Sequence, residues 1–201
     1  MLKKSGNTDS TAFSIKFDND KFTPNIQGKM YIGRHEDFSK KEAQSCPLVF
    51  YKMDIFWACQ LNSLRLKGKN NETKISYSTP VMFDTGTNFI RLPKKYLQEM
   101  HSELKKFGCS TNLESKQLLI LCKANGDVPD FQFEFNNNIY TIPKEYCFIP
   151  VPGHTQYVYS TIKFDDSANS IIGSVFFFLF HTLFDDENKE LKFFPLKHEN
   201  N

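Results

Sequence analysis

The 201-residue chain has almost no net charge, no long apolar run and none of the short zinc or phosphate-binding signatures. Each lack excludes a class of function. Its 25 Lys and Arg face 23 Asp and Glu, leaving a formal charge of +2. A nucleic-acid binder gathers its basic residues on one face. Here the lysines of PKKYLQEMHSELKK and KEYCFIP read as ordinary solvated surface, so no nucleic-acid partner is expected. The most apolar window, Ile171 to Phe184, contains Gly173 and His181 and is too short to cross a bilayer. It reads as a buried strand pair, and no membrane partner is expected. None of the five cysteines falls in a CxxC, and no His stands at zinc spacing from a cysteine pair. No metal and no cofactor are therefore expected. IIGSVF lacks the second glycine of a G-x-S-x-G elbow, and no glycine-rich phosphate loop occurs. No apolar stretch follows Lys3 and Lys4, so the N-terminus does not read as a signal peptide. Tandem repeats and low-complexity segments are missing too.

What is abundant is phenylalanine, with 21 residues. Phe favours strands and a β-rich core. Residues 1–11 read as a polar tail. From Ala12 onward, short strand-like pieces alternate with turn signals. FSIKF alternates with period two. GKMYIGRHEDF puts Met30 and Ile32 on one face. PLVFYK and the longer DIFWACQLNSLRLKGK read as two strands, the second with Ile55, Trp57 and Cys59 on one face. TKISYST and PVMFD read as two more. The pattern then becomes helical. Tyr96, Leu97, Met100, Leu104 and Phe107 recur at helix spacing, with Pro93 at the start and Gly108 at the stop. KQLLILC, HTQYVYSTIKF and SIIGSVFFFLF are strand-like again. FEFNNNIYTI and LFDDENKELKFF read as hairpins across polar turns. The expected fold is mainly β, one domain with at least one helix. Cys109 and Cys122 bracket a stretch that could fold back as a hairpin. Asn71 opens an N-x-T glycosylation sequon, meaningful only in a secreted chain.

One short stretch raises a chemical question. In VMFDTGTNFI, Asp84 sits among Val81, Met82, Phe83, Phe89 and Ile90. A D-x-G turn alone is commonplace, because Asp favours turns. A solvated turn has little need of apolar walls, whereas a carboxylate held at the tip of a buried loop suits them. Thr85 and Thr87 can donate hydroxyl hydrogen bonds, and Gly86 permits close backbone approach. In SIIGSVFFF, a glycine after two β-branched residues marks either a close approach between backbones or a bulge. The five histidines (35, 101, 154, 181 and 198) show no spacing pattern and read as surface or core residues. Cys59 beside Trp57 reads as a buried strand cysteine rather than a nucleophile.

Taken together, these segments carry a resemblance. FDTGTNFI resembles the second catalytic loop of pepsin-like aspartic proteases, usually written D-T-G-T-S. IIGSVFFFLFHTLFDDENKELKFFP resembles that family's closing segment, with Ile171, Ile172, Gly173, Phe184, Asp185 and Phe193 in the matching places. GKMYIGRHEDF, FWACQLNSLRLKGK and DFQFEFNNNIYTIPKEY resemble three further segments, in the right order. Asn88, Arg34, Ser174 and Lys192 depart from the pattern, while Asp84, Thr85, Gly86 and Thr87 keep it.

The resemblance implies a fold, a site and a problem. The fold would be one lobe of the pepsin-like acid protease, with twisted, orthogonally packed β-sheets and short helices, over residues 12–201. The activity would be aspartic-type endopeptidase, acting on polypeptides without a cofactor. Asp84 would be catalytic, Thr87 would support its carboxylate, and Thr85 would bond across to an opposite loop. That chemistry needs two carboxylates, and the chain has one D-T-G and no D-S-G. The N-terminal lobe is missing from the matched order, so a second lobe or a second copy would have to supply the other acid. Asp54, Asp165, Asp166 and Asp185 lack the apolar-D-T-G setting and are not recruited. The alternatives are an inactive lobe that binds peptide or protein, and a truncated gene product. The family also implies a lobe disulfide, for which Cys109, Cys122 and Cys147 are the candidates, and a secretory, lysosomal or vacuolar setting.

Overall fold

The computed structural model describes residues 10–18, 27–49, 57–111, 119–165 and 170–197. Most of the expected polar tail, Ile55, Asp54, Asp166, His198 and the stretch between Cys109 and Cys122 from 112 to 118 lie outside them. The strands in chain order are β1 (Phe13–Phe17), β2 (Gly28–Ile32), β3 (Gln44–Pro47), β4 (Ala58–Lys67), β5 (Glu72–Phe83), β6 (Ile90–Pro93), β7 (Cys109–Thr111) and β8 (Ile120–Lys123). There follow β9 (Asp130–Phe135), β10 (Asn138–Ile142), β11 (Phe148–Val151), β12 (His154–Ser160), β13 (Ile162–Asp165), β14 (Ile171–Ile172), β15 (Phe180–Asp185) and β16 (Glu190–Pro195). Among the described residues the α-helices are few and short: α1 (Lys94–Leu104), α2 (Lys144–Cys147) and α3 (Ser174–Phe177). The fold is mainly β, and it divides into two compact units, Met1–Cys59 with Phe176–Asn201, and Gln60–Val175.

The first unit holds a five-stranded antiparallel sheet in the order β2-β1-β15-β16-β3. Phe13 lies opposite Phe184, and their rings stack at 4.7 Å. Trp57 meets both edge-on, at 6.1 and 5.4 Å. The alternation in FSIKF hides one surprise. The apolar Phe13, Ile15 and Phe17 are half-buried, while the polar Ser14 is fully buried. Arg34 accounts for one departure from the family pattern. Its guanidinium reaches Asp185 Oδ2 at 3.0 Å and Glu187 at 3.4 Å, holding the β15–β16 turn. Burial disfavours the Asp185 carboxylate, but Arg34 and the bonds from Asn188 outweigh it and lower the pKa. Cys46 and Cys59 form a disulfide, so Cys59 is neither free nor nucleophilic.

In the second unit, a seven-stranded sheet runs β10-β9-β4-β5-β14-β6-β13, beside a four-stranded sheet β11-β12-β8-β7. Alternation works cleanly here. Phe131, Phe133 and Phe135 of β9 are buried and their neighbours half-exposed. Burying each such ring is worth about 1.5–3 kcal/mol. The β9–β10 hairpin turns through Asn136 and Asn137, at φ 47° and 62°, a primed turn that suits Asn at both positions. α1 buries the expected Tyr96, Leu97, Met100 and Leu104, then tightens into a 3-10 turn that ends at Gly108, φ 71°. Positive φ is where glycine costs least.

Two expectations change. TKISYST and PVMFD are one twelve-residue strand, β5, with Pro80 inside it. The missing proline N–H precedes the β14 ladder, which starts at Met82, so no bond to β14 is lost. The apolar window is not a simple strand pair either. β14 is followed by one helical turn, Ser174–Phe177, before β15. Period two and period 3.6 cannot be told apart in a run that is apolar on every side, and this one is buried throughout.

Candidate active site

The chain enters the Asp84 loop from the end of β5 and leaves it into β6. The flanks Val81, Phe83 and Ile90 are buried, which accounts for the apolar walls. The tip differs from the expectation of a buried loop. Asp84 is half-buried, and Thr85, Gly86 and Asn88 are exposed. The carboxylate therefore stands where buried backbone opens to the surface.

Both of its oxygens are held. The Gly86 N–H donates to Oδ1 at 2.9 Å, and the Thr87 hydroxyl donates to Oδ2 at 2.7 Å. The Asp84 carbonyl accepts from Thr87 N–H at 3.3 Å, closing the turn. Hydrogen bonds to a carboxylate are the stronger, charge-assisted kind, and two of them fix its orientation. Thr87 thus hydrogen-bonds the Asp84 carboxylate. Thr85 is exposed beside it.

The Ile-Ile-Gly stretch explains why the loop keeps this shape. β14 runs parallel to β5, with Ile171 beside Met82 and Ile172 beside Phe83. Met82 N–H donates to Ser170 O and Asp84 N–H donates to Ile172 O, each at 3.0 Å. On its other side β14 meets β6 at Arg91. Ser174 N–H then donates to Thr87 O at 2.6 Å. β14 is thus a wedge that pins both arms of the acid loop. Gly173 has to be glycine, because a Cβ there would overlap the carbonyl oxygens of Thr87 and Phe89. Of the two readings of this glycine, close backbone approach is the one realised.

Of the three candidate cysteines, Cys109 and Cys122 are paired across the β7–β8 ladder, and Cys147 is a buried thiol. Burial pushes its pKa up, so it is a poor nucleophile. Asn71 Nδ2 donates to Lys106 O at 3.1 Å and Asp127 Oδ2 at 3.0 Å, so the sequon amide already serves the fold.

One constellation had no sequence signal. In the first unit, His181 is buried between Ser14 Oγ, 2.9 Å from Nε2, and Asp37 Oδ2, 3.0 Å from Nδ1. Ser14 and Asp37 lie 167 and 144 positions from His181, so no spacing rule could join them.

Comparison with known proteins agrees with this geometry. The sequence model described as "Eukaryotic aspartyl protease" matches residues 1–196. Pepsin II-1 of Oryctolagus cuniculus is 25% identical over 138 residues, which is 68% of this chain and 34% of that protein. Pregnancy-associated glycoprotein 2 is 23% identical in Bos taurus over 69% of the chain, and 24% identical in Sus scrofa over 72%. The chain spans about a third of the length of these curated relatives, 31–35%. No helix among the described residues is long and apolar enough to cross a membrane. A match over nearly the whole chain, together with an Asp-Thr-Gly loop wedged by Ile-Ile-Gly, places this protein in the eukaryotic aspartyl protease family.

Proposed function

We propose that this chain, from residue 12 onward, is the C-terminal lobe of an aspartic-type endopeptidase and brings one of two catalytic carboxylates, Asp84. One observation supports this above the rest. Both Asp84 oxygens are held by its own loop, by Gly86 N–H and Thr87 Oγ1, while the loop tip is open to a partner.

The chemistry follows from two acids flanking one water. Two carboxylates that close cannot both ionise, so they share a proton and titrate as a pair. The ionised one takes a proton from the water as its oxygen attacks the peptide carbonyl. The protonated one hydrogen-bonds the carbonyl oxygen as charge develops there, and the proton then passes to the leaving nitrogen. In this reading Thr87 and Gly86 hold Asp84 aimed at the water. Thr85, exposed at the tip, bonds to the facing loop. The second Asp comes from a facing lobe or from a second copy across a twofold axis. The substrate is a polypeptide bound between the two. Two disulfides suit an oxidising secretory, lysosomal or vacuolar compartment.

The test is peptide hydrolysis across acid and neutral pH, with the chain at rising concentration and then mixed with a pepsin-like N-terminal lobe. Acid-favoured cleavage that vanishes in Asp84→Asn is expected. Peptide binding without cleavage, unchanged in Asp84→Asn, would instead fit a non-catalytic binding lobe.

A further inference from the structure

The first unit carries a second polar centre that the protease chemistry does not use. His35, at the start of the 3-10 turn Glu36–Ser39, Asp37 within that turn, and His181 of β15 bring their ligand atoms within 4.8 Å of one another. His181 is fully buried, the Asp37 side chain is 9% exposed, and His35, at 23%, is the way in from solvent. We propose that these three side chains form a binding site for a divalent ion of the zinc class, through His35 Nδ1, Asp37 Oδ2 and His181 Nδ1.

The division of labour on the carboxylate points this way. Asp37 Oδ1 takes the Lys40 ammonium at 2.6 Å. Oδ2 faces both imidazoles, with His181 Nδ1 at 3.0 Å and His35 Nδ1 at 3.4 Å. Ligands each about 2.0–2.2 Å from a tetrahedral zinc lie about 3.3–3.6 Å apart. The 3.4 Å separation falls in that range, the 3.0 Å one reaches it with a shift of a few tenths of an ångström, and all three ligand atoms lie within 4.8 Å of one another. Two imidazoles and one carboxylate are also the donor mixture zinc accepts, and magnesium does not favour it.

The far side of His181 is built as metal-ligating histidines require. Its Nε2 lies 2.9 Å from the buried Ser14 Oγ. In the tautomer with Nε2–H donating to Ser14, the Nδ1 lone pair faces Oδ2 and a cation between them would be held by both, whereas without an ion Nδ1–H can donate to Oδ2. Such a partner on the second nitrogen fixes the tautomer of a ligating His. The Tyr31 ring packs on both imidazoles, at 4.4 and 5.6 Å, and Phe38 packs on His181 at 4.7 Å, limiting their rotation. Three protein ligands leave a fourth position for water. On the Lys40 side, Asp37 also lines a cavity of about 570 Å³ with Lys16, Asp18 and Glu42. Binding has three opposing terms. The Nδ1–H that His181 can donate to Asp37 Oδ2 must first be lost. His35 Nδ1 accepts from Asp37 N–H at 3.2 Å, a cap the ion would displace, and Lys40 repels the incoming charge.

The test titrates zinc into the oxidised full chain at neutral pH and follows Tm, then uses cobalt and its visible absorption to report the ligand geometry. One saturable zinc per chain, a rising Tm, a tetrahedral cobalt spectrum and no response to magnesium are expected. His35→Gln, at the rim of the site, should fold normally and weaken zinc at least tenfold, about the loss seen when even a supporting partner is removed. His181→Gln should also weaken zinc. Absence of saturable zinc binding by the unaltered chain overturns the proposal. So does binding left unchanged by His35→Gln, or an equal response to magnesium.

Discussion

The Thr87 hydroxyl donates to Asp84 Oδ2 at 2.7 Å, so a residue three positions along the loop orients the acid. Thr87→Ala removes that donor. A loss of about 1.5 kcal/mol in stability is expected, the low end for a bond to a charged group because the loop tip is open to water. Thr87→Ser keeps the hydroxyl and should restore it. Urea unfolding of the three proteins checks the ordering.

Gly173 is the tightest point of the wedge. Gly173→Ala drives a methyl group into the carbonyls of Thr87 and Phe89, which are backbone and cannot rotate aside. The expected cost is at least about 3 kcal/mol, at the upper end for overpacking. Gly153, at φ 76° with nothing within 4 Å of a built Cβ, is the control. Gly153→Ala should cost only about 1–2 kcal/mol, the penalty of left-handed backbone. Equal losses in the two variants would remove the wedge from the account.

Acid tolerance is expected to involve Glu134. The Ser63 hydroxyl holds its carboxylate, with Lys74 Nζ at 3.0 Å and Arg65 at 3.4 Å, and its pKa falls from 4.5 to about 2. A folded-state pKa below the unfolded one stabilises above the unfolded value, near 4.5, and that stability is lost as pH falls towards about 2. Glu134→Gln should therefore be less stable at neutral pH and show a flatter decline between those limits. Urea midpoints measured from neutral pH down to that limit give the comparison.

The Cys109–Cys122 bridge closes a loop with a sequence separation of 13. In the chain-entropy account a loop of this size is worth about 3 kcal/mol. Replacing both cysteines by Ser should lower stability by about that amount. Non-reducing peptide mapping should recover Cys109 with Cys122 and Cys46 with Cys59. Cys147 should resist alkylation until the chain unfolds.

Much of the site could be read from the sequence because its parts are local. The hydrogen bonds to the Asp84 carboxylate come from Gly86 and Thr87, within four residues, and the α1 face and the β9 alternation follow their own periods. What joins the site was less accessible. The apolar-D-T-G and Ile-Ile-Gly stretches stand out separately, but only the parallel pairing of Met82 and Phe83 with Ile171 and Ile172 shows that one holds the other. Ser14, Asp37 and His181 were invisible for a different reason. A buried polar residue in a strand follows its partner rather than the hydrophobic pattern, and these partners come from opposite ends of the chain. Pro80 misled because it ends strands only where its N–H is needed.

The central claim is that Asp84 is one of two carboxylates activating a water. The most direct measurement is the initial rate of peptide hydrolysis across acid pH, for the chain alone at rising concentration and with a complementing lobe that carries its own Asp-Thr-Gly. Cleavage is expected in at least one of these assemblies and none with Asp84→Asn in either. Cleavage that survives Asp84→Asn, or no cleavage by the unaltered chain in both, would contradict it.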